Sequence, residues 1–309
     1  GGMDPAVELA HKPALRSIER VVTETAEPTQ PGLALSDVAK QLRAGGVMVL
    51  TGAGVSTESG VPDYRGPKGS LSGHRPMTYQ EFRYDPAASH RYWARAFVGW
   101  RVMDAARPNR THYALVELER AGLLSGLVTQ NVDGLHKEAG QKNVVALHGD
   151  MKHVVCLNCG NVEERELFDV RAETLNPGFL ARWGVSEDQV NPDGDVALSQ
   201  EAVDEFVMPP CVVCGSLLLK PDVVYFGEPV PAAKKDAAYE ILAGSRSLLV
   251  VGSSLAVMSG FRFVLDAKKA GKRVSVINGG PGRGDNRVDT LWRTQVGPAF
   301  DELLDELSI

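Results

Sequence analysis

The sequence predicts an α/β fold: a doubly wound parallel sheet with a smaller lobe inserted into it. Short β-rich apolar runs alternate with helical patterns, most of these runs end in glycine or a polar residue, and two Cys-x-x-Cys pairs interrupt the alternation. Alternating strands and helices favour a parallel sheet that is covered on both faces. The chain has 309 residues, 43% of them hydrophobic, which is enough for a large core and two lobes.

Six short apolar runs have the length and composition of buried strands. They are Val47–Thr51, Leu127–Thr129, Val144–Leu147, Asp222–Phe226, Leu248–Gly252 and Val274–Asn278. Helical patterns lie between them, such as Ser36–Ala44, for which Ser36 is the expected N-cap, and Tyr113–Ala121. All six strands are expected to be parallel, and ligands of such a sheet bind at the carboxyl ends of its strands.

Two interruptions of the strand pattern define the expected domains. A nucleotide-binding domain is expected from three segments, 33–66, 109–150 and 219–309. A small domain is expected from the aromatic, helical segment 67–108 and the cysteine-bearing segment 151–218. Residues 1–32 are expected to form an N-terminal arm made of a surface helix and a linker. Two insertions from one domain are expected to pack together and leave a cleft beside it.

Composition excludes several classes of protein. The net charge of −6 does not favour binding to nucleic acid or to an anionic membrane surface, and no apolar run approaches the roughly 20 residues of a membrane span. Acidic residues in the arm, including Asp4, Glu8 and Glu19, argue against a signal or transit peptide. If every cysteine binds metal, no disulfide remains, and a reducing, cytoplasmic location is expected.

The four cysteines form two pairs with the spacing of metal-binding knuckles, and the chain has no others. They are Cys156, Cys159, Cys211 and Cys214. Two such pairs complete a tetrahedral zinc site, and four thiolates leave no open position for catalysis, so a structural zinc ion is expected. Two disulfides or buried free thiols are the alternative.

The first predicted strand leads into a glycine turn, Gly52-Ala53-Gly54-Val55-Ser56, followed by a helical pattern. Glycines let the backbone approach a diphosphate, and a following helix offers free N–H groups, which is the arrangement of Rossmann-like folds. Thr57 takes the place of the third glycine of the dinucleotide fingerprint, and no acidic residue ends a second strand at the usual distance. A dehydrogenase is therefore disfavoured, and a plain tight strand–helix turn remains the alternative.

Further polar segments follow the later strands. They are Gly60–Gly66, Thr129–His136, Leu147–Gly149, Lys220–Glu228, Gly252–Leu255 and Ile277–Gly280. In this order around a four-cysteine site, the chain from about Leu33 onward resembles the sirtuins, NAD-dependent protein lysine deacylases. The form Pro62-Asp63-Tyr64-Arg65, the run 91–100 and the insertion 191–196 resemble class II sirtuins. The acid-rich arm fits a bacterial member.

The resemblance implies how NAD is bound. The implied cofactor-binding residues are Gly52, Ala53, Gly54, Ser56, Asp63, Tyr64, Arg65, Gln130, Asn131, Asp133, Gly252, Ser253, Ser254, Asn278, Gly279 and Val296. The first four would hold the diphosphate, and Tyr64 would cap the nicotinamide pocket, where the family commonly has Phe. Gln130, Asn131 and Asp133 would orient the nicotinamide ribose and carboxamide, while the segments from 252 onward would grip the adenosine half.

The resemblance also implies the reaction. The implied catalytic residues are His148, Asn131 and Asp133, and His136 is expected to be structural. The acyl-lysine oxygen would attack the ribose C1′, nicotinamide would leave, and His148 would act as general base on a ribose hydroxyl. A histidine suits this step because its ordinary pKa is about 6.5. An acyl-lysine protein or peptide would add as a strand beside Val224, Phe226, Gly227, Glu228, Leu255 and Val257.

The residues leave two questions open. Tyr92 and Arg95 share a helix face and could clamp an acidic acyl group, or the same face could pack aromatic side chains instead. Protein ADP-ribosylation and NAD sensing without catalysis are the alternatives to deacylation. An intact His148, Asn131 and Asp133 favour deacylation.

Overall fold

The computed structural model describes residues 4–61, 75–184 and 196–309. Within these residues the strands are β1 (Val47–Thr51), β2 (Leu124–Thr129), β3 (Val144–Ala146), β4 (Gly149–Cys156), β5 (Val162–Glu164), β6 (Leu219–Val223), β7 (Ser247–Val251), β8 (Arg273–Asn278) and β9 (Thr290–Arg293). The helices are α1 (Pro5–Glu19), α2 (Pro31–Ala44), α3 (Tyr79–Tyr84), α4 (Pro86–Ala105), α5 (Arg110–Arg120), α6 (Leu135–Ala139), α7 (Arg165–Leu175), α8 (Phe179–Trp183), α9 (Gln200–Glu205), α10 (Ala232–Ala243), α11 (Met258–Lys269) and α12 (Val296–Leu307).

The chain forms two compact units, each assembled from three segments. The parallel-sheet unit comprises Arg20–Ser59, Arg107–His148 and Val230–Ile309. The antiparallel-sheet unit comprises Gly1–Glu19, Gly60–Ala106 and Gly149–Pro229, as far as these ranges are described. None of the helices in the described ranges has the length and apolar composition needed to span a lipid bilayer.

The parallel-sheet unit contains six strands in the order β3-β2-β1-β7-β8-β9, and every neighbouring pair is parallel. The chain leaves β1 for β2 on one side, whereas β7 lies on its other side. The strand order therefore reverses between β1 and β7, which is where such sheets bind ligands.

Alternation along β1 shows how the sheet is covered on both faces. Val47 and Val49 pack against α2, α5 and α12, while Met48 and Leu50 pack on the opposite face against α10 and α11. All four side chains are fully buried. Because successive strand residues point to opposite faces, a strand that is apolar at every position requires helices on both sides. The predicted doubly wound sheet is confirmed.

In its described part, the antiparallel-sheet unit has a sheet of three strands in the order β5-β4-β6 and an aromatic core. Trp93 of α4 is buried and donates its indole N–H to the carbonyl oxygen of Leu219 at the start of β6, at 2.7 Å. The Trp93 ring also lies 4.6 Å from the Phe168 ring of α7. Large aromatic side chains thus join the helical segment to the sheet, since each buries much apolar surface.

Two predictions of local structure are wrong. Asp222–Phe226 is not a parallel strand: the strand β6 ends at Val223 and pairs antiparallel with β4. Ser36 is not an N-cap, because α2 begins at Pro31 and the side chain of Gln30 accepts from the backbone N–H of Leu33 at 3.0 Å. Proline at the first helical position needs no N–H partner, which allows the helix to start earlier.

Candidate active site and metal centre

The glycine turn after β1 contacts a second glycine turn after the neighbouring strand β7. Gly54 donates its N–H to the carbonyl oxygen of Gly252 at 2.8 Å. Gly252 has φ +66, and a Cβ on it would lie 2.7 Å from the backbone nitrogen of Val55. Only glycine fits both the left-handed conformation and the close approach. The two turns are therefore held backbone to backbone at the switch point of the sheet.

Polar side chains after β2 reach both glycine turns. The Gln130 side-chain oxygen accepts from Ser253 Oγ at 2.7 Å, and Asn131 Nδ2 donates to the carbonyl oxygen of Gly52 at 2.9 Å. The predicted residues after β1, β2 and β7 are thus brought together at one edge of the sheet.

Asp133 is bound from two sides at this edge. Its Oδ2 accepts from Ser56 Oγ at 2.6 Å, and its Oδ1 accepts from the backbone N–H of Leu135 at 3.0 Å. The side chain of Asp133 is 8% exposed, so these bonds compensate for the burial of its carboxylate.

His148 lies in the same unit, partly buried, just after β3. Its Nδ1 is 3.2 Å from the carbonyl oxygen of Gln130, and its Nε2 is 2.8 Å from Ser259 Oγ. A carbonyl oxygen only accepts, so Nδ1 carries the proton and Nε2 keeps a lone pair. Burial lowers the pKa of His148 to about 4, against the opposing effect of the Gln130 carbonyl, and Lys234 lowers it further. The imidazole is therefore a neutral base with Nε2 as its accepting atom.

Two further histidines are buried beneath the site, with ring centroids 5.0 Å apart. His112 accepts from the backbone N–H of Asn109 at Nδ1, so its Nε2–H faces Ser56 Oγ at 3.4 Å. The Nε2 of His136 lies 2.8 Å from Thr51 Oγ1. The position of His136 agrees with the structural role expected for it.

We expect these buried histidines to make the parallel-sheet unit sensitive to acid. Burial lowers the pKa of His136 to about 3, helped by His112, and burial lowers the pKa of His112 to about 4. Both values lie below the ordinary 6.5, so between pH 6.5 and about 4 the unfolded chain binds protons that the folded chain does not, and stability falls as the pH falls. The loss for His136 between pH 7 and pH 5 is about 2 kcal/mol.

Urea unfolding at pH 7 and pH 5 measures this effect. The difference between the two unfolding free energies should be smaller in His136→Gln than in the parent protein. His153→Gln is the matched control, since the His153 side chain is 43% exposed. An unchanged difference in His136→Gln contradicts the prediction.

Most of the remaining predicted cofactor residues lie at or after the ends of β7, β8 and β9, and Ala53 follows β1. Ser254 accepts at its carbonyl oxygen from the N–H of Arg283 at 2.7 Å, and Asn278 Nδ2 donates to the carbonyl oxygen of Gly280 at 3.0 Å. Gly279 follows β8, and Val296 is the first residue of α12 and is buried. Ala53 begins a short 3-10 turn after Gly52. The residues Asp63, Tyr64 and Arg65 lie outside the described residues.

The predicted peptide-binding residues fall in both units. Leu255 is buried and has φ +55, and its N–H donates to Ser253 Oγ. Val257 precedes α11. In the antiparallel-sheet unit, Val224, Phe226, Gly227 and Glu228 follow β6. Glu228 contacts its own turn, since its Oε1 accepts from the N–H of Tyr225 at 3.0 Å.

The four cysteines converge as predicted. Their sulfur atoms lie within 4.8 Å of one another, with Cys156 Sγ 3.6 Å from Cys214 Sγ and Cys159 Sγ 3.7 Å from Cys211 Sγ. A tetrahedral zinc ion with bonds of about 2.3 Å separates its sulfur ligands by about 3.8 Å, so this set fits zinc. The same separations are too long for disulfides, whose S–S bond is about 2.05 Å.

Tyr92 packs in the aromatic core of its unit. The side chain is 5% exposed, and its ring makes edge contacts with Phe82 and Trp93 at 5.6 Å. These contacts support the packing alternative, and the clamp formed with Arg95 stays a prediction.

Sequence reasoning missed Ser259, which binds the accepting nitrogen of His148, and Lys220, which is buried beside Glu228. The signal for Ser259 was weak, because a serine in the first turn of a helix has many ordinary roles. For Lys220 the signal was its place within a β-rich run. A lysine that is buried in a strand needs a charged partner, so its position could have indicated an ion pair.

Comparisons with known proteins agree on one family. The model of the Sir2 family matches residues 52–259. An NAD-dependent protein deacetylase 1 of Corynebacterium efficiens is 64% identical, over 91% of this chain and 100% of its own. The NAD-dependent protein deacylase Sirt4 of Drosophila melanogaster is 42% identical, over 84% of this chain and 82% of its own. A solved Sir2–p53 peptide–NAD⁺ structure has a TM-score of 0.70 and 27% identity, over 88% of this chain and 98% of its own. Since the family model matches more than half of the sequence, the chain belongs to the Sir2 family.

Proposed function

We propose that this protein is an NAD-dependent protein lysine deacylase that releases nicotinamide, O-acyl-ADP-ribose and free lysine. The observation that carries the proposal is the tautomer of His148, whose Nε2 is the accepting atom at the edge that bears Asn131 and Asp133. The deacetylases of Corynebacterium and Streptomyces, 64% and 50% identical to this chain, support it.

The residues at the switch point fit NAD. A close backbone approach and hydroxyl groups suit a diphosphate, and the Gly52–Ser56 and Gly252–Ser254 turns provide glycine backbone and serine side chains where the strand order reverses. Amide side chains suit ribose and carboxamide groups, and Gln130, Asn131 and Asn278 supply them. When bound, NAD supplies the ribose carbon that receives the acyl oxygen and the hydroxyl that later takes up the acyl group.

Each polar side chain of the site has a distinct task in this proposal. His148 Nε2 gives up its hydrogen bond with Ser259 and takes the proton of the reacting hydroxyl. The carbonyl oxygen of Gln130 holds the ring at Nδ1 and stabilises its charged form. Ser56 Oγ and the N–H of Leu135 fix the orientation of the Asp133 side chain. Asn131 is fixed to the glycine turn through Gly52.

A zinc ion at Cys156, Cys159, Cys211 and Cys214 would be structural. Four thiolates fill a tetrahedral shell, so the metal would join the β4–β5 turn to the segment before β6 without taking part in the reaction. Reduced cysteines, none of which forms a disulfide, also support a cytoplasmic location.

One experiment tests the function. The protein is incubated with NAD and peptides carrying acetyl-, succinyl- or branched dicarboxyl-lysine, and the products are identified by mass. Free lysine peptide together with O-acyl-ADP-ribose is the expected result, and reactions without NAD are the control. ADP-ribose attached to protein would support the transferase alternative, and the absence of any NAD-dependent product would overturn deacylation. Rates across the panel also show whether the protein prefers acidic acyl groups, as a clamp of Tyr92 and Arg95 predicts.

A further inference from the structure

The turn after β6 is closed by its own residues. The N–H of Glu228 donates to the carbonyl oxygen of Tyr225 at 3.0 Å, and the N–H of Tyr225 donates back to Glu228 Oε1 at 3.0 Å. Lys220 Nζ lies 3.1 Å from the same carboxylate oxygen and is 2% exposed. These bonds define the shape of residues 225–228, but they leave the carbonyl groups of Phe226 and Gly227 to other partners.

The first turn of α3 binds both of those carbonyl groups. The N–H of Tyr79 donates to the carbonyl oxygen of Phe226 at 2.8 Å, and Gln80 Nε2 donates to the carbonyl oxygen of Gly227 at 3.0 Å. Gln80 is 4% exposed. Gly227 has φ +87, and a Cβ on it would overlap the Gln80 side chain. The turn and α3 are therefore fitted to each other.

The start of α3 is fixed by a capping box. Thr78 Oγ1 accepts from the N–H of Glu81 and donates to Glu81 Oε1, and Arg75 binds both carboxylate oxygens of Glu81. Burial alone would raise the pKa of Glu81, but the bonds from Arg75 and Thr78 hold it below its ordinary value. The carboxylate therefore stays charged and keeps the N-terminus of α3 in place.

The N-terminal helix α1 supports the same cap. His11 Nδ1 lies 3.0 Å from Thr78 Oγ1. Because the threonine hydroxyl proton goes to Glu81, His11 must donate at Nδ1. Ala14 and Ile18 of α1 are buried at 4% and 2% exposure, so the helix is packed and not merely adjacent. Helix α1 lies outside the segment 52–259 that matches the family model.

We propose that Gln80, supported through Thr78 by His11 of the N-terminal helix, positions the turn 225–228 for binding of the acyl-lysine peptide. Gln80 and His11 are positioning residues, since they act on the peptide through the turn. The proposal rests on the proposed function, because that function makes the turn a substrate site. The N-terminal helix then sets peptide affinity and leaves NAD affinity unchanged.

Three variants of the full chain test the proposal. Gln80→Leu removes the donor at similar volume, His11→Ala removes the outer bond, and His11→Asn keeps a donor near the position of Nδ1. Peptide affinity is measured by fluorescence anisotropy, and KM is measured separately for peptide and NAD. Loss of one buried hydrogen bond weakens peptide binding about fivefold, so Gln80→Leu and His11→Ala should show this shift and His11→Asn should stay within about twofold of the parent.

Hydrogen exchange keeps the proposal separate from the catalytic function. Exchange of the amides in residues 224–229 should be faster in Gln80→Leu and His11→Ala, with the exchange of β1 unchanged. Gln200→Leu, the same substitution at an exposed position of α9, is the matched control. Unchanged exchange in the turn overturns the proposal, as does an equal rise of both KM values. A parent protein that binds no acyl-lysine peptide refutes the proposed function instead.

Discussion

Replacing His148 by alanine is expected to lower NAD-dependent deacylation by about 10²–10⁴-fold, the usual contribution of a general base. The reason is the tautomer: the bond from Nδ1 to Gln130 leaves Nε2 as the accepting atom, and alanine has no acceptor. Nicotinamide release precedes the proton transfer in the proposed reaction. Exchange of labelled nicotinamide into NAD should therefore continue in His148→Ala, although lysine release falls by this factor.

The two activities are measured on the same preparation, with isotope exchange for the first step and mass analysis of the peptide for the second. His153→Ala is the control, since this histidine lies on β4 with an exposed side chain and should retain both activities. Near-normal lysine release by folded His148→Ala would end the assignment. Loss of both activities with an unchanged fold would place His148 in cofactor binding.

Replacing Cys211 by serine is expected to remove tight zinc binding and to unfold the segment that joins β4, β5 and β6. Apparent binding free energies of structural zinc sites are about 10–16 kcal/mol, comparable to the whole stability of a typical domain. The two cysteine pairs come from distant parts of the chain, and their four sulfur atoms lie within 4.8 Å of one another. The pairing of β4 with β6 also joins the two segments, so the loss of zinc is expected to act mainly on the turns that carry the cysteines.

Zinc per chain is measured by elemental analysis, and thermal unfolding is followed by circular dichroism. Val213→Ala is the matched control, because Val213 lies in the same knuckle, is 67% exposed and contributes no sulfur. The control should keep one zinc ion and the parent melting temperature. A Cys211→Ser protein that also keeps both would show that the cluster does not hold the fold.

The central strand and the cysteine cluster could be predicted from sequence because their signals are local. The run Val47–Thr51 is apolar at successive positions, and its boundaries in the structure are the predicted ones. Paired cysteines two residues apart report a metal site by their spacing alone.

Other features depend on partners that a local pattern does not name. The β-rich run around Asp222 indicates extended backbone but not direction, and in the folded chain it pairs antiparallel with β4. The strand β9 is only 4 residues long and lies at the edge of the sheet, so its apolar pattern was too short to predict a strand. The contact of Gln80 with Gly227 joins positions that are 147 residues apart. Local sequence patterns do not predict a contact between residues so far apart in the chain.

The pairing of β1 with β7 has a consequence for synthesis of the chain. Val47 lies opposite Ser247 in the sheet, so the ribosome must add 200 residues before the middle strand gains its second neighbour. Until then, the backbone groups on one edge of a strongly apolar strand stay open. Contacts of such high sequence separation slow folding and expose unfinished chains to aggregation. Nascent molecules that end before residue 247 are therefore expected to depend on chaperones.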